Sequence, residues 1–290
     1  MAGPLDGATG LLVDGRWRTS GIELAVTDKY TLQPFAAVQQ ARPGDVDAAV
    51  SGAAGAARHP MPPARRHDIL GEASRLLEAR RDEICAIYVT ETGFTPGDAA
   101  AEMNRAVATM RMSAEESVRI AGEEVPVAAA PGSEGRLAFT FRVPVGVVAA
   151  ITPFNAPLNT VVHKIGPAIA AGNAVVLKPA EQTPLCAVAL AQVLLDAGLP
   201  PGFLQLVCGP GETTGAALVA DRRVRFFTFT GSAAVGEAIK RNSGSPRPTS
   251  SSAPTAPLSW PPTPTSTWWR TSSSGPGTAR PGRCAPACSD

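Results

Sequence analysis

The sequence predicts an α/β fold in which a parallel β-sheet carries helices on both faces. Two observations predict it. Between about residues 145 and 242, short apolar segments alternate with helical segments four times, joined by short links. The apolar segments, among them "VGVVAAI" and "AVVLK", are hydrophobic at nearly every position. Strands of this kind must be covered on both faces, which is typical of parallel sheets.

The residues before this sheet predict a β-hairpin followed by a helical region. "LLVDGRWRTS" is typical of a hairpin that turns at Asp14 and Gly15. From about Asp45 to Ile120, apolar residues recur at three- and four-residue spacings among Arg and Glu, which indicates helices. Gly93 is predicted to end the helix of "RRHDILGEASRLLEARRDEICAIYVTETG". "RLAFTFRVP" alternates like a strand that is polar on one side.

The composition and charge of the chain limit the classes of protein to which it can belong. The chain has 290 residues, a hydrophobic content of 44% and a formal net charge of +1, which fit a soluble protein without a basic surface for nucleic acid. No apolar run reaches the roughly 18 residues that span a membrane, and no secretory signal is predicted. We therefore expect a cytoplasmic protein with reduced cysteines. No metal site is expected, because no His follows the pair Cys284 and Cys288.

Parallel sheets bind ligands at the carboxyl ends of their strands, so the loops after the four strands form the candidate site. They read "TPFNAPLN", "KPAEQTP", "CGPGETTG" and "FTGSAAVG". In the last loop, Gly231 and Gly236 lie where a strand passes into a helix. Because glycine has no Cβ, a dinucleotide phosphate can approach the free N–H groups of the helix. A simple tight turn is the alternative, since the spacing is not G-x-G-x-x-G.

Two further loops carry polar groups at strand ends. Lys178 and Glu181 combine a hydrogen-bond donor with an acceptor, which suits ribose hydroxyls; the alternative is a solvated charge pair. Asn155 lies between Pro153 and Pro157, which stiffen its loop. A fixed amide N–H₂ suits an oxyanion hole. Alternatively, Asn155 caps the helix that follows.

Together and in this order, the four loops resemble those of the aldehyde dehydrogenase superfamily. Its members carry a Pro-Trp/Phe-Asn loop, a Lys-Pro-x-Glu-x-Thr-Pro loop, a Gly-rich turn and Phe-Thr-Gly-Ser-x-x-x-Gly. The match is specific over residues 140–242 and looser before them. The resemblance implies a Rossmann-type cofactor-binding domain over residues 1–244, which is incomplete. It also implies oxidation of an aldehyde to a carboxylic acid with NAD, or alternatively NADP, by a parent enzyme that is a homo-oligomer. The Phe-Asn variant is similar to branches acting on lactaldehyde-like, glyceraldehyde-phosphate-like or phosphonoacetaldehyde-like substrates.

The resemblance also implies residue roles. Asn155 would donate to the developing oxyanion of the aldehyde. Lys178 and Glu181 would hold the adenosine ribose, and the carboxylate would favour NAD over NADP by repelling a 2′-phosphate. Gly211 would lie against the adenine, and Ser232 would reach the pyrophosphate. The other implied cofactor contacts are Ile151, Thr152, Phe154, Gly231 and Val235.

The chain changes character after about residue 244. Pro, Ser and Thr dominate, Val and Ile are absent, and three of the four Trp occur there. Residues 245–290 are therefore predicted to be a disordered tail. The nucleophilic Cys motif of the resembled family, and the Leu-Glu-Leu-Gly motif that supplies its water-activating Glu, are not found in it.

The genetic code offers an explanation for the tail. With synonymous codons chosen suitably, residues 249–255 read in a neighbouring frame give "VELGSN", and residues 282–286 give "QVCT". The tail is therefore predicted to be out-of-frame translation of an aldehyde dehydrogenase sequence, which leaves the catalytic domain absent and the chain inactive. A natural disordered linker is the alternative. Two rival hypotheses for the whole chain are a non-catalytic dinucleotide-binding or interaction protein and a chain that does not fold stably.

Overall fold

The structure is a computed structural model, and it describes residues 7–8, 10–243 and 248–252, the last five by their backbone alone. The chain divides into a larger unit, whose described part is residues 7–8, 10–120, 143–243 and 248–252, and a smaller unit whose described part is Ala121–Arg142. In chain order, the strands are β1 (Leu11–Val13), β2 (Arg16–Trp17), β3 (Glu23–Thr27), β4 (Pro34–Gln39), β5 (Glu124–Val125), β6 (Ala138–Phe139), β7 (Val147–Ile151), β8 (Ala174–Lys178), β9 (Leu204–Val207), β10 (Val224–Gly231) and β11 (Pro248–Ser252). The α-helices are α1 (Pro43–Ala57), α2 (Pro63–Ala79), α3 (Arg81–Thr92), α4 (Pro96–Ser117), α5 (Asn159–Ala170), α6 (Leu185–Asp196), α7 (Ala216–Ala220) and α8 (Ala233–Asn242).

The main sheet of the larger unit runs in the order β11-β10-β7-β8-β9-β1-β2. The first five strands are parallel to one another, which confirms the parallel sheet predicted from the strand–helix alternation. Every residue of β8 and β9 is buried. Because successive side chains point to opposite faces, both faces of these strands are covered.

The N-terminal hairpin corrects one part of the prediction. It turns at Asp14 and Gly15, as predicted, and both residues have the positive φ that a tight hairpin turn favours. However, the hairpin does not precede the sheet as a separate element. Strand β1 pairs antiparallel with β9, with Leu12 opposite Leu206, so the sheet is mixed. This pairing places Leu11 and Leu12 inside the sheet, where their apolar side chains are fully buried away from water.

Helices cover both faces of the sheet, as the sequence predicts. Helix α1 contacts β7, β8 and β9, and α7 packs on α1. Helix α5 contacts β7 and β8, while α6 contacts β9, and both are covered in turn by helices from the N-terminal region. The single helix predicted to end at Gly93 is two helices, α2 and α3, which break at Arg80. Gly93 does end α3, in the left-handed conformation.

Strand β11 departs from the predicted disordered tail. Pro248–Ser252 pair in parallel with β10, from Phe227 opposite Pro248 to Gly231 opposite Ser252. Main-chain N–H and C=O groups make these bonds, so the pairing does not require the apolar side chains by which strands were recognised in the sequence. Residues 244–247 and 253–290, including Cys284 and Cys288, lie outside the described residues.

Two small sheets complete the described elements. In the larger unit, β3 and β4 form an antiparallel pair that the sequence did not predict. In the smaller unit, β5 pairs antiparallel with β6, so "RLAFTFRVP" is a strand only at Ala138–Phe139. Among the residues that the structure describes, every helix is too short or too polar to cross a membrane.

Candidate functional site

A cavity of about 540 Å³ lies at the carboxyl ends of β7 and β8. It continues along a π-helical turn, Gly211–Gly215, and between α7 and α8. The sequence predicts ligand binding at this end of the parallel strands. The predicted site residues that line this cavity are Ile151, Thr152, Lys178, Glu181, Gly211 and Val235.

Lys178 and Glu181 form an ion pair at the wall of this cavity. The Lys178 side chain is only 5% exposed, and its Nζ donates to Glu181 Oε1 at 3.0 Å and to the Pro179 carbonyl at 3.3 Å. The alternative of a solvated charge pair is therefore wrong for Lys178. An ammonium group has three N–H donors, and the described residues accept from two of them. One donor is left for a ligand, beside a carboxylate that accepts.

Thr152 contributes a polar atom that needs a partner. Its backbone N–H donates to the Lys178 carbonyl at 3.2 Å, which holds the residue at the end of β7. Its Oγ1 is buried and has no hydrogen-bond partner among the described residues. Leaving a buried hydroxyl unpaired costs free energy. A polar ligand in the cavity would remove that cost, so Thr152 fits the ribose or phosphate groups of a dinucleotide.

The far part of the cavity is an apolar slot between two helices. Its walls are Ala216, Val219 and Ala220 of α7, and Val235, Ala238 and Ile239 of α8. Residues three and four positions apart share one helix face, so each helix presents one such face to the slot. Most of these residues were missed in the sequence analysis, although their spacing is readable there. A slot with small apolar walls suits a planar ring such as adenine.

Two glycines shape the same cavity. A Cβ at Gly211 would meet no atom within 4 Å, so its backbone borders open space, as expected for a residue against a ligand. At Gly215, a Cβ would lie 3.6 Å from the Lys178 Cε. The lysine stem therefore runs past Gly215, which helps to set the position of its ammonium group.

Gly231 and Ser232 lie outside the cavity lining. Gly231 is the last residue of β10, and a Cβ there would clash with the ring of Phe229. Packing within the strand is therefore one reason for this glycine; a single residue, Ser232, separates β10 from α8, which also fits the tight-turn alternative. Ser232 caps α8, where its Oγ accepts from Val235 N at 3.4 Å. Their contact with a pyrophosphate stays a prediction.

Phe154 and Asn155 are exposed in the loop after β7. Phe154 lines a different cavity of about 340 Å³, together with Lys29, Glu91 and Thr183. The alternative that Asn155 caps the next helix is wrong, because α5 begins at Asn159 and has Leu158 at its N-cap. The Asn155 amide is therefore free of that structural role, and its role toward an aldehyde stays a prediction.

Residues 17–251 of the chain match the aldehyde dehydrogenase family. This chain belongs to that family. It is 50% identical over 235 residues to the 3-sulfolactaldehyde dehydrogenase of Priestia aryabhattai, an alignment that covers 81% of this chain and 49% of that protein. The family resemblance predicted from the four loops is thereby confirmed.

Solved structures of the aldehyde dehydrogenase family share the fold. The NADP-dependent glyceraldehyde-3-phosphate dehydrogenase of Bacillus halodurans, complexed with NADP, has a TM-score of 0.80 and 31% identity, over 83% of this chain and 52% of that one. An NAD-dependent benzaldehyde dehydrogenase of Corynebacterium glutamicum has a TM-score of 0.78 and 34% identity, over 85% of this chain and 54% of that one. The chain thus spans about half the length of these relatives.

Two buried carboxylates support the loops of this aldehyde dehydrogenase chain, and the sequence analysis missed both. Glu102 on α4 is 2% exposed and accepts from Asn159 N, at the start of α5, at 2.8 Å. Glu91 on α3 is fully buried and accepts from the first two N–H groups of α6. The signal that could have found them is an acid at an apolar position of an amphipathic helix.

Proposed function

We propose that this chain is the cofactor-binding part of an NAD(P)-dependent enzyme that oxidises an aldehyde to a carboxylic acid. The observation that carries the proposal is the cavity at the ends of β7 and β8. It combines the Lys178–Glu181 pair, an apolar slot and the Thr152 hydroxyl, which has no partner in the described part of the chain. An adenosine has matching parts, because its ring is flat and its ribose both donates and accepts hydrogen bonds.

The chain's residues divide the work of binding as follows. The slot between α7 and α8 would hold adenine, while Lys178 would donate to a ribose hydroxyl and Glu181 would accept from one. A carboxylate repels a 2′-phosphate, so Glu181 favours NAD over NADP. When bound, the nicotinamide would supply hydride acceptance. Asn155 would donate its amide N–H to the aldehyde oxygen as negative charge develops there.

Filling the slot tests the binding site directly. Ala238 is half-buried and lines the cavity, so Ala238→Trp places an indole where adenine would lie. We expect the Kd for NAD to rise at least about 100-fold by calorimetry, because the pocket surface is no longer available. The matched control is Ala234→Trp, at an exposed position of α8 that is not part of the lining. Equal affinity in both variants would argue against this cavity as the site.

The substrate proposed for the parent enzyme is a lactaldehyde-like aldehyde. The Phe154–Asn155 pair is similar to the branches that act on such substrates, and one relative is named for 3-sulfolactaldehyde. Comparing kcat/KM for lactaldehyde and benzaldehyde in an enzyme with an intact catalytic half would test this. A preference for benzaldehyde would contradict it.

We further propose that the segment after about residue 244 is translated out of frame and that the 290-residue polypeptide is inactive. The abrupt change in residue types and the recoverable "VELGSN" and "QVCT" support this. Purified polypeptide should therefore give no aldehyde-dependent NADH, while still binding NAD. Measured turnover would contradict the proposal. So would an encoding DNA that reads through residues 243–250 without an inserted or deleted base, and without those motifs in a neighbouring frame.

A cytoplasmic location and a homo-oligomeric parent complete the proposal. The described Cys85, Cys186 and Cys208 are free thiols, which supports a reducing compartment. In the smaller unit, Leu137 and Phe141 are largely exposed apolar side chains, which supports association with another subunit. Cell fractionation and light scattering would test these two statements, and an exported or strictly monomeric parent would contradict them.

A further inference from the structure

Glu91 lies far from the cofactor cavity in sequence, but it is hydrogen-bonded to the start of α6, the helix that follows the loop of Glu181. The Glu91 side chain is completely buried at the end of α3. Its two carboxylate oxygens accept from Leu185 N at 2.7 Å and from Cys186 N at 2.9 Å. These are the first two N–H groups of α6, whose own N-cap, Pro184, provides no side-chain acceptor. A residue 94 positions away thus supplies the helix cap.

This cap fixes one end of the loop that presents Glu181. The loop runs over residues 179–184, between β8 and α6. Strand β8 holds its first end, because it pairs with strands on both sides. The last end has no such pairing, so the bonds from Leu185 and Cys186 to Glu91, together with the packing of α6, set where the loop ends.

Thr183 connects this loop to the one that carries Asn155. Its side chain is buried, and its Oγ1 donates to the Phe154 carbonyl at 3.1 Å. Phe154 directly precedes Asn155, the residue proposed to contact the aldehyde oxygen. The Glu91 carboxylate therefore stabilises the end of the Glu181 loop through the start of α6, and the loop of Asn155 through Thr183.

We propose that Glu91 is a positioning residue for cofactor binding, which acts through the start of α6 and through Thr183 without touching the cofactor. The inference rests on the proposed function, since it concerns the same cavity. It goes beyond that function by assigning part of the affinity to a residue that does not line the cofactor cavity.

The surroundings of Glu91 give this role a pH signature. Burial raises the pKa of Glu91 to about 7, while the Cys186 thiol and the N–H groups of Cys186 and Leu185, which donate to the carboxylate, and the charge of Lys29 oppose the rise. The neighbouring Cys186 thiol stays protonated, because burial raises its pKa. The ionised carboxylate accepts strongly at both oxygens, whereas the protonated acid carries an O–H donor on one oxygen and is the weaker acceptor. The Kd for NAD should therefore fall as the pH rises through about 7.

The test compares Glu91→Gln with Glu83→Gln, an exposed acid on the same helix. Glutamine keeps the volume but turns an N–H₂ toward one backbone N–H, so one of the two bonds is lost. We expect the Kd for NAD to rise about tenfold in Glu91→Gln and to lose its pH dependence, with no change in Glu83→Gln. Hydrogen–deuterium exchange over residues 179–186 should become faster in Glu91→Gln alone.

Thr183→Val provides a second variant, because it removes only the hydroxyl bonded to Phe154. We expect it to weaken NAD binding by several-fold. If Glu91→Gln does not fold, wild-type affinity in Thr183→Val with a pH-independent Kd in the unsubstituted chain would overturn the inference. Folded Glu91→Gln with wild-type Kd and exchange would also overturn it. A failure of the unsubstituted chain to bind NAD would overturn the proposed function, and this inference with it.

Discussion

Replacing Lys178 with methionine is expected to raise the Kd for NAD about 10- to 100-fold, which corresponds to the loss of one charge-assisted hydrogen bond. Methionine keeps the unbranched apolar stem that passes Gly215 but carries no donor. The chain should still fold, because the Glu181 carboxylate that loses its partner is 31% exposed and can be hydrated. Titration calorimetry on the purified chain measures the change.

Lys240→Met is the matched control for this prediction. Lys240 lies on α8 at an exposed position and is not part of the cavity lining. It removes the same charge from the chain, so a general electrostatic effect on an anionic cofactor would appear in both variants. Equal weakening in the two, or no weakening in Lys178→Met, would contradict the role of the buried ammonium group.

The parallel part of the sheet was predictable because its signal is local. Strands β7 and β8 are apolar at nearly every position, and a helix follows each of them after a short loop. The pairing of β1 with β9 was not predictable in the same way. Leu12 meets Leu206 from the other end of the domain, and a three-residue strand carries no information about its partner.

In the candidate site as well, the residues that could be predicted are those that depend on nearby sequence, and the residues missed depend on distant partners. Lys178 and Glu181 were predictable, because polar residues at the end of a buried strand lie where parallel sheets bind ligands, whereas Thr152 was expected only from the family resemblance. Gly231 belongs to the Phe-Thr-Gly-Ser motif by which the loop was predicted. However, a Cβ at this position would clash with the Phe229 ring, so packing also explains the glycine. The caps that Glu91 and Glu102 supply could not be read from the sequence, because their partners are backbone N–H groups of distant helices.

Phe227 provides the test of the sheet that carries this site, since it is 1% exposed and lies in the middle of β10, opposite Ala149 of β7. We expect Phe227→Ala to lower the free energy of unfolding by about 3 to 5 kcal/mol, because it leaves a cavity in a packed core. The matched control is Phe226→Ala, which changes the neighbouring half-buried ring on the opposite face of the strand and should cost about half as much or less. Urea unfolding of both variants measures the difference. A loss below about 1 kcal/mol in Phe227→Ala would contradict a core that includes β10. The outcome bears on function as well, because β10 ends at Gly231 and leads into the helix that forms one wall of the apolar slot.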